Sequence, residues 1–143
     1  MKIFIRAAHL EDSEFIANLS DQLGYKNTIE NTLSRLTELL LSKNDCVFVA
    51  CDENILVGWI HAFKSLKVES DPFIEIGGLV VDVDYRKKGI AKLLINEVIS
   101  WSQSKNIAKL RVRSNSIRIE THEFYRHLGF KELKTQKVFD LYL

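Results

Sequence analysis

Apolar and polar positions along this chain change period several times, and each change marks an element. Residues 2–8 read as a first strand. Over 10–23 the apolar residues Leu10, Phe15, Ile16, Leu19 and Leu23 fall at helical spacing, and Gly24 ends the helix. A second helix is predicted over 28–42, with Ile29, Leu33, Leu36, Leu40 and Leu41 on one side. Thr28 is its N-cap, but Asn31 three residues on leaves the capping box incomplete. The period then drops to that of a strand. Residues 46–51 and 55–63, joined by Asp52-Glu53-Asn54, predict a β-hairpin. The next strand, 73–81, ends in an almost unbroken apolar run, the mark of a strand covered on both faces. Inside it Gly77-Gly78 signals a bulge, or close approach by another backbone or a ligand. Pro72 stands at the strand entrance, where a missing donor costs little.

A third helix is predicted over 90–104, a short strand over 107–112, and a fourth helix over 116–128. Ile117, Phe124 and Leu128 form the inner face of that fourth helix, and Gly129 ends it. Residues 130–133 and 138–143 close the chain as strands. The order is βααβββαβαββ. It describes a single α/β domain over 1–143 with four helices and a mixed, mostly antiparallel sheet of about seven strands. The unit spanning 73–112 joins two parallel strands by a right-handed crossover.

The 143 residues are 46% apolar and 27% charged, with a net charge of +1, an ordinary globular balance. That charge gives no bulk attraction to nucleic acid or membrane, so any anion site is local. The first residues carry too short an apolar run for a leader, and no stretch reaches the length of a membrane span. A cytoplasmic location is expected. Cys46 and Cys51 lie five apart on one strand, pointing to opposite faces roughly 16 Å apart at about 3.3 Å per residue. They are therefore unpaired packing residues. His9, His61, His122 and His127 show no metal-ligand spacing, and no metal site is expected.

Chemistry enters at Arg86-Lys87-Lys88-Gly89-Ile90-Ala91. Strand, basic glycine turn and helix follow in that order, which sets free backbone N–H groups at a helix N-terminus ringed by cations. Such a place binds a polyanion. A P-loop is excluded, because no Gly-Lys-Ser/Thr follows, and no Gly-x-Gly-x-x-Gly fingerprint exists. A second constellation lies downstream: Ser114-Asn115, Arg118, His122-Glu123-Phe124-Tyr125 and Gly129-Phe130.

Together these blocks resemble the GNAT superfamily of acetyl-CoA-dependent N-acetyltransferases. Arg86, Gly89 and Ala91 match its Arg/Gln-x-x-Gly-x-Gly/Ala pattern. Asn115, Phe124, Tyr125, Gly129 and Phe130 match its second pattern, with Thr121 where the family usually has alanine. The resemblance implies that the polyanion is the diphosphate of coenzyme A. It implies that backbone near Leu79, Val80 and Val81 holds the pantetheine arm. The amides of Lys87, Lys88, Gly89, Ile90, Ala91 and Lys92 hold the diphosphate, and strands 73–81 and 107–112 splay apart to admit the cofactor. The glycine pair fits such an opening or relieves crowding against a helix.

Transfer of an acetyl group to an amine then needs a proton removed, an oxyanion held and a thiolate protonated. Backbone N–H groups near Leu79 or Val80 suit the oxyanion. Tyr125 suits the general acid, and in the family this tyrosine points at the sulfur. Glu75 is the candidate base, read as sharing a face with Leu79 four residues on. It matches a position where some family members carry a catalytic glutamate. His122 is its rival. Asn115 bonds pantetheine or caps the following helix. Arg118 and Arg126 meet coenzyme phosphate or solvent. The acceptor is a primary amine of a small molecule or peptide, with Leu23-Gly24-Tyr25, Glu75 and the 64–72 loop lining its site. Glu69 and Asp71 on that loop suit a cationic acceptor. A coenzyme A-binding module without turnover is the alternative. The apolar strand at 138–143 predicts a covered edge or a homodimer.

Overall fold

The hairpin at the centre of the sheet forms where the period-two pattern predicts it. In the computed structural model, which describes residues 1–143, β2 (Asp45–Asp52) turns into β3 (Ile55–Lys67). On either side stand β1 (Ile3–Ala7) and β4 (Ser70–Val81), and β5 (Leu110–Val112) lies beyond β4. The sheet order is β1-β2-β3-β4-β5. The first four strands are antiparallel, and β5 joins β4 in parallel after the crossover helix α3. Four helices are present: α1 (Ser13–Asp21), α2 (Ile29–Leu41), α3 (Ile90–Ser104) and α4 (Ile119–His127). Thr28 caps α2 through its side chain, which accepts from the Asn31 N–H at 3.0 Å.

The order agrees with the sequence pattern as far as α4, but the sheet has five strands rather than about seven. Residues 130–133 and 138–143 form no strand. Their alternation fits a pleated surface, and a strand also needs a partner edge, which a short segment does not encode. Val138, Phe139, Leu141 and Tyr142 are exposed.

The chain divides into two units, Met1–Val112 and Arg113–Leu143. The first holds the whole sheet with α1, α2 and α3. On one sheet face Val47, Val49, Cys51, Leu56 and Val80 pack with Ile16 and Leu19 of α1 and Leu36 of α2. On the other face α3 buries Ile90, Leu94, Ile95 and Val98. The Cβ-free side of Gly58 lies 3.4 Å from Leu94 and 3.5 Å from Ile90. Arg6 clasps Asp12 through two bonds of 2.8 and 2.9 Å, tying β1 to the start of α1. Burial opposes the Asp12 charge, but Arg6 and the His9 N–H outweigh it and hold the carboxyl below its ordinary range.

Two helical stripes are wider in sequence than in contact. Leu36 is the buried residue of α2, whereas Ile29, Leu33, Leu40 and Leu41 are exposed. Leu10 and Phe15 are also exposed, and Ile16 and Leu19 carry α1 into the core. A short helix lying on a flat sheet touches it along a narrow line, so apolar residues at the stripe's edges stay outside. Ile117 precedes α4 in a turn and is exposed rather than inward-facing. Cys46 and Cys51 are buried and unpaired. Burial pushes the Cys46 thiol up to about 12. No helix is long and apolar enough to cross a membrane.

Candidate active site

The basic turn is built by local bonds. After β4, the Asp82 carboxylate accepts from the Asp84 N–H at 2.9 Å and starts a single 3-10 turn, Val83–Tyr85. The Tyr85 hydroxyl donates to Asp52 at 2.9 Å, bracing the turn against the end of β2. The Lys2 N–H and that hydroxyl hold the Asp52 carboxyl below its ordinary range. The Val83 N–H donates to Gln22 Oε1 at 3.0 Å, so the end of α1 is tied to the same turn.

Lys87 then takes φ +61° and Gly89 φ +80°. Gly89 is the N-cap of α3 and has no side chain to cap with. The first bond back to it comes from the Leu93 N–H at 3.1 Å, so the earlier amides of the helix point outward without a partner inside it. A cavity of about 110 Å³ is lined by Val81, Tyr85, Arg86, Lys87, Gly89, Ile90, Ala91 and Lys92. Lys88 departs from that group, its ammonium lying 5.3 Å from the Tyr85 ring centre. Cations and unpaired amides around a small cavity fit a diphosphate.

The second feature lies on β4. Its register against β3 slips by one between His61 and Ala62: His61 faces Gly78, Ala62 faces Ile76, and Gly77 is the extra residue. The glycine pair is therefore a bulge. Its crowding comes from strand side chains rather than a helix. A Cβ on Gly78 would lie 2.8 Å from the Trp59 indole, and one on Gly77 would lie 3.1 Å from both His61 Nδ1 and Phe63.

The slip also corrects the placing of Glu75. Glu75 pairs with Phe63, on the face of Trp59, His61 and Val80, whereas Leu79 pairs with Ile60 on the opposite face. Four residues along an unbroken strand share a face, and one extra residue reverses the rest. β4 pairs with β5 only through Ile74, Glu75 and Ile76, so Gly77–Val81 runs on beyond the last parallel pair.

Beside this bulge stands a pair that motif reading missed. His61 Nε2 lies 2.9 Å from Asp45 Oδ1, and the Ser42 hydroxyl donates to Asp45 Oδ2 at 2.6 Å. The signal available in the sequence was the glycine pair itself, which makes room for large side chains across the ladder. A separate cavity of about 390 Å³ opens at the α1–α2 loop among Asp21, Lys26, Asn27 and Thr28, next to Leu23-Gly24-Tyr25. At the other end of the sheet, Lys67, Lys109 and Arg111 surround the Phe73 ring at 5.4, 5.0 and 4.3 Å. The strands also replace the expected 64–72 loop: β3 runs to Lys67 and β4 starts at Ser70, so only 68–69 turn, Asp71 lies on β4, and the surface there is not purely acidic.

Arg113–Leu143 carries the downstream constellation. Tyr125 lies on α4, edge-on to Phe124 and Phe130 at 5.2 and 5.5 Å. Burial pushes its phenol up, against an opposing pull from Arg118, so the proton stays on at neutral pH. Asn115 does not cap α4. Its side chain accepts from the Ile117 N–H at 3.1 Å, and Arg118 occupies the N-cap position. The His122 ring donates to the Asn115 carbonyl at 2.9 Å. Arg126 meets Glu132 at 3.4 Å and Glu123 at 3.6 Å.

Known proteins resemble this chain in sequence and in fold. The chain is 32% identical over 88 residues to N-acetylaspartate synthetase of Xenopus tropicalis, covering 62% of this chain and 31% of that protein. It is 28% identical over 111 residues to human N-acetyltransferase 8, covering 73% of this chain and 47% of that protein. The chain thus spans less than half the length of both curated relatives. Its fold superposes on aminoglycoside N-acetyltransferase AAC(6')-Iy in complex with CoA with a TM-score of 0.88. That match has 21% identity and covers 98% of this chain and 95% of that one. The model of the acetyltransferase (GNAT) family matches residues 7–130. With the basic turn, the bulged strand and the downstream tyrosine in this order, the chain belongs to the GNAT acetyltransferase family.

Proposed function

We propose that the chain moves an acetyl group from acetyl-CoA to a primary amine, by direct attack in a ternary complex. The observation that carries this reading is the basic turn at the head of α3, with outward amides and Arg86, Lys87 and Lys92 around one small cavity. Both units are read as one acetyltransferase domain over 1–143, since the family match runs through each of them.

The bound cofactor would supply an acyl carbon activated by its thioester. The rest falls to the protein. The amides of Lys87, Lys88, Gly89, Ile90, Ala91 and Lys92 and the nearby cations hold the diphosphate. The β4 backbone at Leu79, Val80 and Val81 holds the arm, with support from Asn115. An N–H at Leu79 or Val80 takes the oxygen that gains charge. Tyr125 gives its proton to the departing sulfur; burial keeps that proton on the phenol until the thiolate forms, while making the phenol the weaker acid of the two. Glu75 lies on the face of β4 that also carries Trp59 and His61 across the ladder, and it receives the acceptor amine. Similarity to proteins named for aspartate and for aminoglycosides keeps the acceptor at the level of a primary amine.

The test follows thiol release from acetyl-CoA across an amine panel, with coenzyme A affinity measured by calorimetry. Tyr125→Phe should lower kcat about 100-fold while retaining that affinity. An unchanged kcat removes the acid role. Tight coenzyme A binding without thiol release for any amine would leave a binding module in place of an enzyme. The same reading includes a homodimer joined through the exposed Val138, Phe139, Leu141 and Tyr142. Light scattering at the mass of one chain would remove it.

A further inference from the structure

We infer that His61, held by Asp45, is the general base that takes the proton of the acceptor amine. This rests on the acetyl-transfer reading and adds a residue to it. The two ring nitrogens have different surroundings. Nε2 lies 2.9 Å from Asp45 Oδ1. A carboxylate only accepts, so the ring proton sits on Nε2 and Nδ1 keeps its lone pair. Asp45 is fixed in turn by the Ser42 hydroxyl at 2.6 Å, and the Asn44 N–H donates to the same hydroxyl oxygen at 3.1 Å. This carboxylate–imidazole order matches a nucleophile's base held by an orienting group.

The second nitrogen gives the pair its direction. His61 stands opposite Gly78 across the ladder, and its Nδ1 is 3.1 Å from where a Gly77 Cβ would lie. A pair that served only to clip β2 to β3 would need Nε2 alone. Here the lone-pair nitrogen looks onto the one site in β4 where two consecutive residues lack side chains and the register slips. Leu79, whose N–H is proposed for the oxyanion, follows the bulge directly. Glu75 lies on the other side of it, paired with Phe63. The His61 side chain is 23% exposed, so the ring is not sealed in the core.

The step balances simply. The amine nitrogen forms the N–C bond and gives one proton to Nδ1. The C–S bond breaks, and its electron pair leaves on sulfur, which takes the Tyr125 proton; the phenolate then regains one from water. The imidazolium faces the Asp45 carboxylate until its proton passes to water. Asp45 is a positioning residue.

Two readouts test this. In protein labelled with 15N-histidine, without cofactor, neutral His61 should be the Nε2–H tautomer, and Asp45→Asn should redistribute it. In the thiol-release assay, with the best-used amine of the panel held saturating, kcat of the wild type should fall on the acid side as the base is protonated, since kcat reads the complex and not the free amine. Asp45 from β2 and Phe63 from β3 meet the ring, Ser42 stands behind Asp45, and Glu75 of β4 shares the same sheet face, opposite Phe63. His61→Gln should lose about 100-fold in kcat and lose the acid limb, and Asp45→Asn should lose about 10-fold and shift that limb. Glu75→Gln should keep the limb.

An Nδ1–H tautomer in the wild type overturns the inference. So does a His61→Gln protein that keeps the acid limb, or a limb that disappears only in Glu75→Gln. Unchanged coenzyme A affinity and melting temperature confirm that His61→Gln is folded. If it does not fold, the tautomer and the Asp45→Asn profile decide. A wild type that transfers to no amine takes down the acetyl-transfer reading itself, whereas an active wild type with an indifferent His61→Gln takes down only the base.

Discussion

The basic turn and the glycine bulge are both glycine-dependent, and they use glycine for opposite reasons. Gly89 has open space around its missing side chain, and its φ of +80° is what requires glycine. Gly78 has no such φ, and the Trp59 ring fills the space a side chain would need. One glycine serves the local path of the chain, and the other serves a neighbour from a different strand. The path of the turn is thus set by neighbouring residues, and the bonds to Asp52 and Gln22 only brace it from outside. The bulge is a property of register between β3 and β4.

Substituting valine at each position separates the two. Gly78→Val drives side-chain carbons into the indole and should cost about 1–3 kcal/mol of stability through overpacking. It should also displace the β4 amides by enough to lower kcat about 100-fold, because misplacement on the order of 1 Å is that costly. Gly89→Val meets no neighbour and should cost about 1–2 kcal/mol through backbone strain alone. Its functional effect should be about a 10-fold weaker coenzyme A affinity, with kcat at saturation nearly kept. Thermal melts, calorimetry and saturating kinetics distinguish the two patterns. If both variants lose affinity and kcat alike, the two regions are not separable.

The same distinction explains how much the sequence reveals. Arg86 to Lys92 was legible because strand end, left-handed glycine and helix start are set by adjacent residues. The bulge was legible as a bulge, since paired glycines inside an apolar strand have few other uses. Its consequence was not legible. Glu75 and Leu79 read as one face because the count assumes an unbroken strand, and Gly77 breaks it. The Asp45–His61 contact was hidden for the same reason, since it joins residues on two strands whose register is set by the fold. Ile29, Leu33, Leu40 and Leu41 kept helical spacing, yet the width of the contact with the sheet, not the spacing, decided which of them were buried. Residues 138–143 carry strand character without a strand, because pairing needs a second edge.

The smallest expected effect gives the sharpest view of the bulge. An alanine Cβ at Gly77 would lie 3.1 Å from His61 Nδ1 and 3.1 Å from Phe63 Cε1, so those rings must give by a few tenths of an ångström. Half-buried rings can move that far, and the cost should be about 1 kcal/mol, the low end for overpacking. The mutation should lower kcat about threefold, because it moves the ring that faces the bulge without removing it. A double-mutant cycle then isolates the contact. In a His61→Ala background one of the two close neighbours is gone, so Gly77→Ala should cost roughly half as much, a coupling that adjacent residues show and distant ones do not. Additivity of the two mutations in melting temperature would mean that the imidazole does not rest on the bulge, and the strand-assembled half of the comparison would lose its central contact.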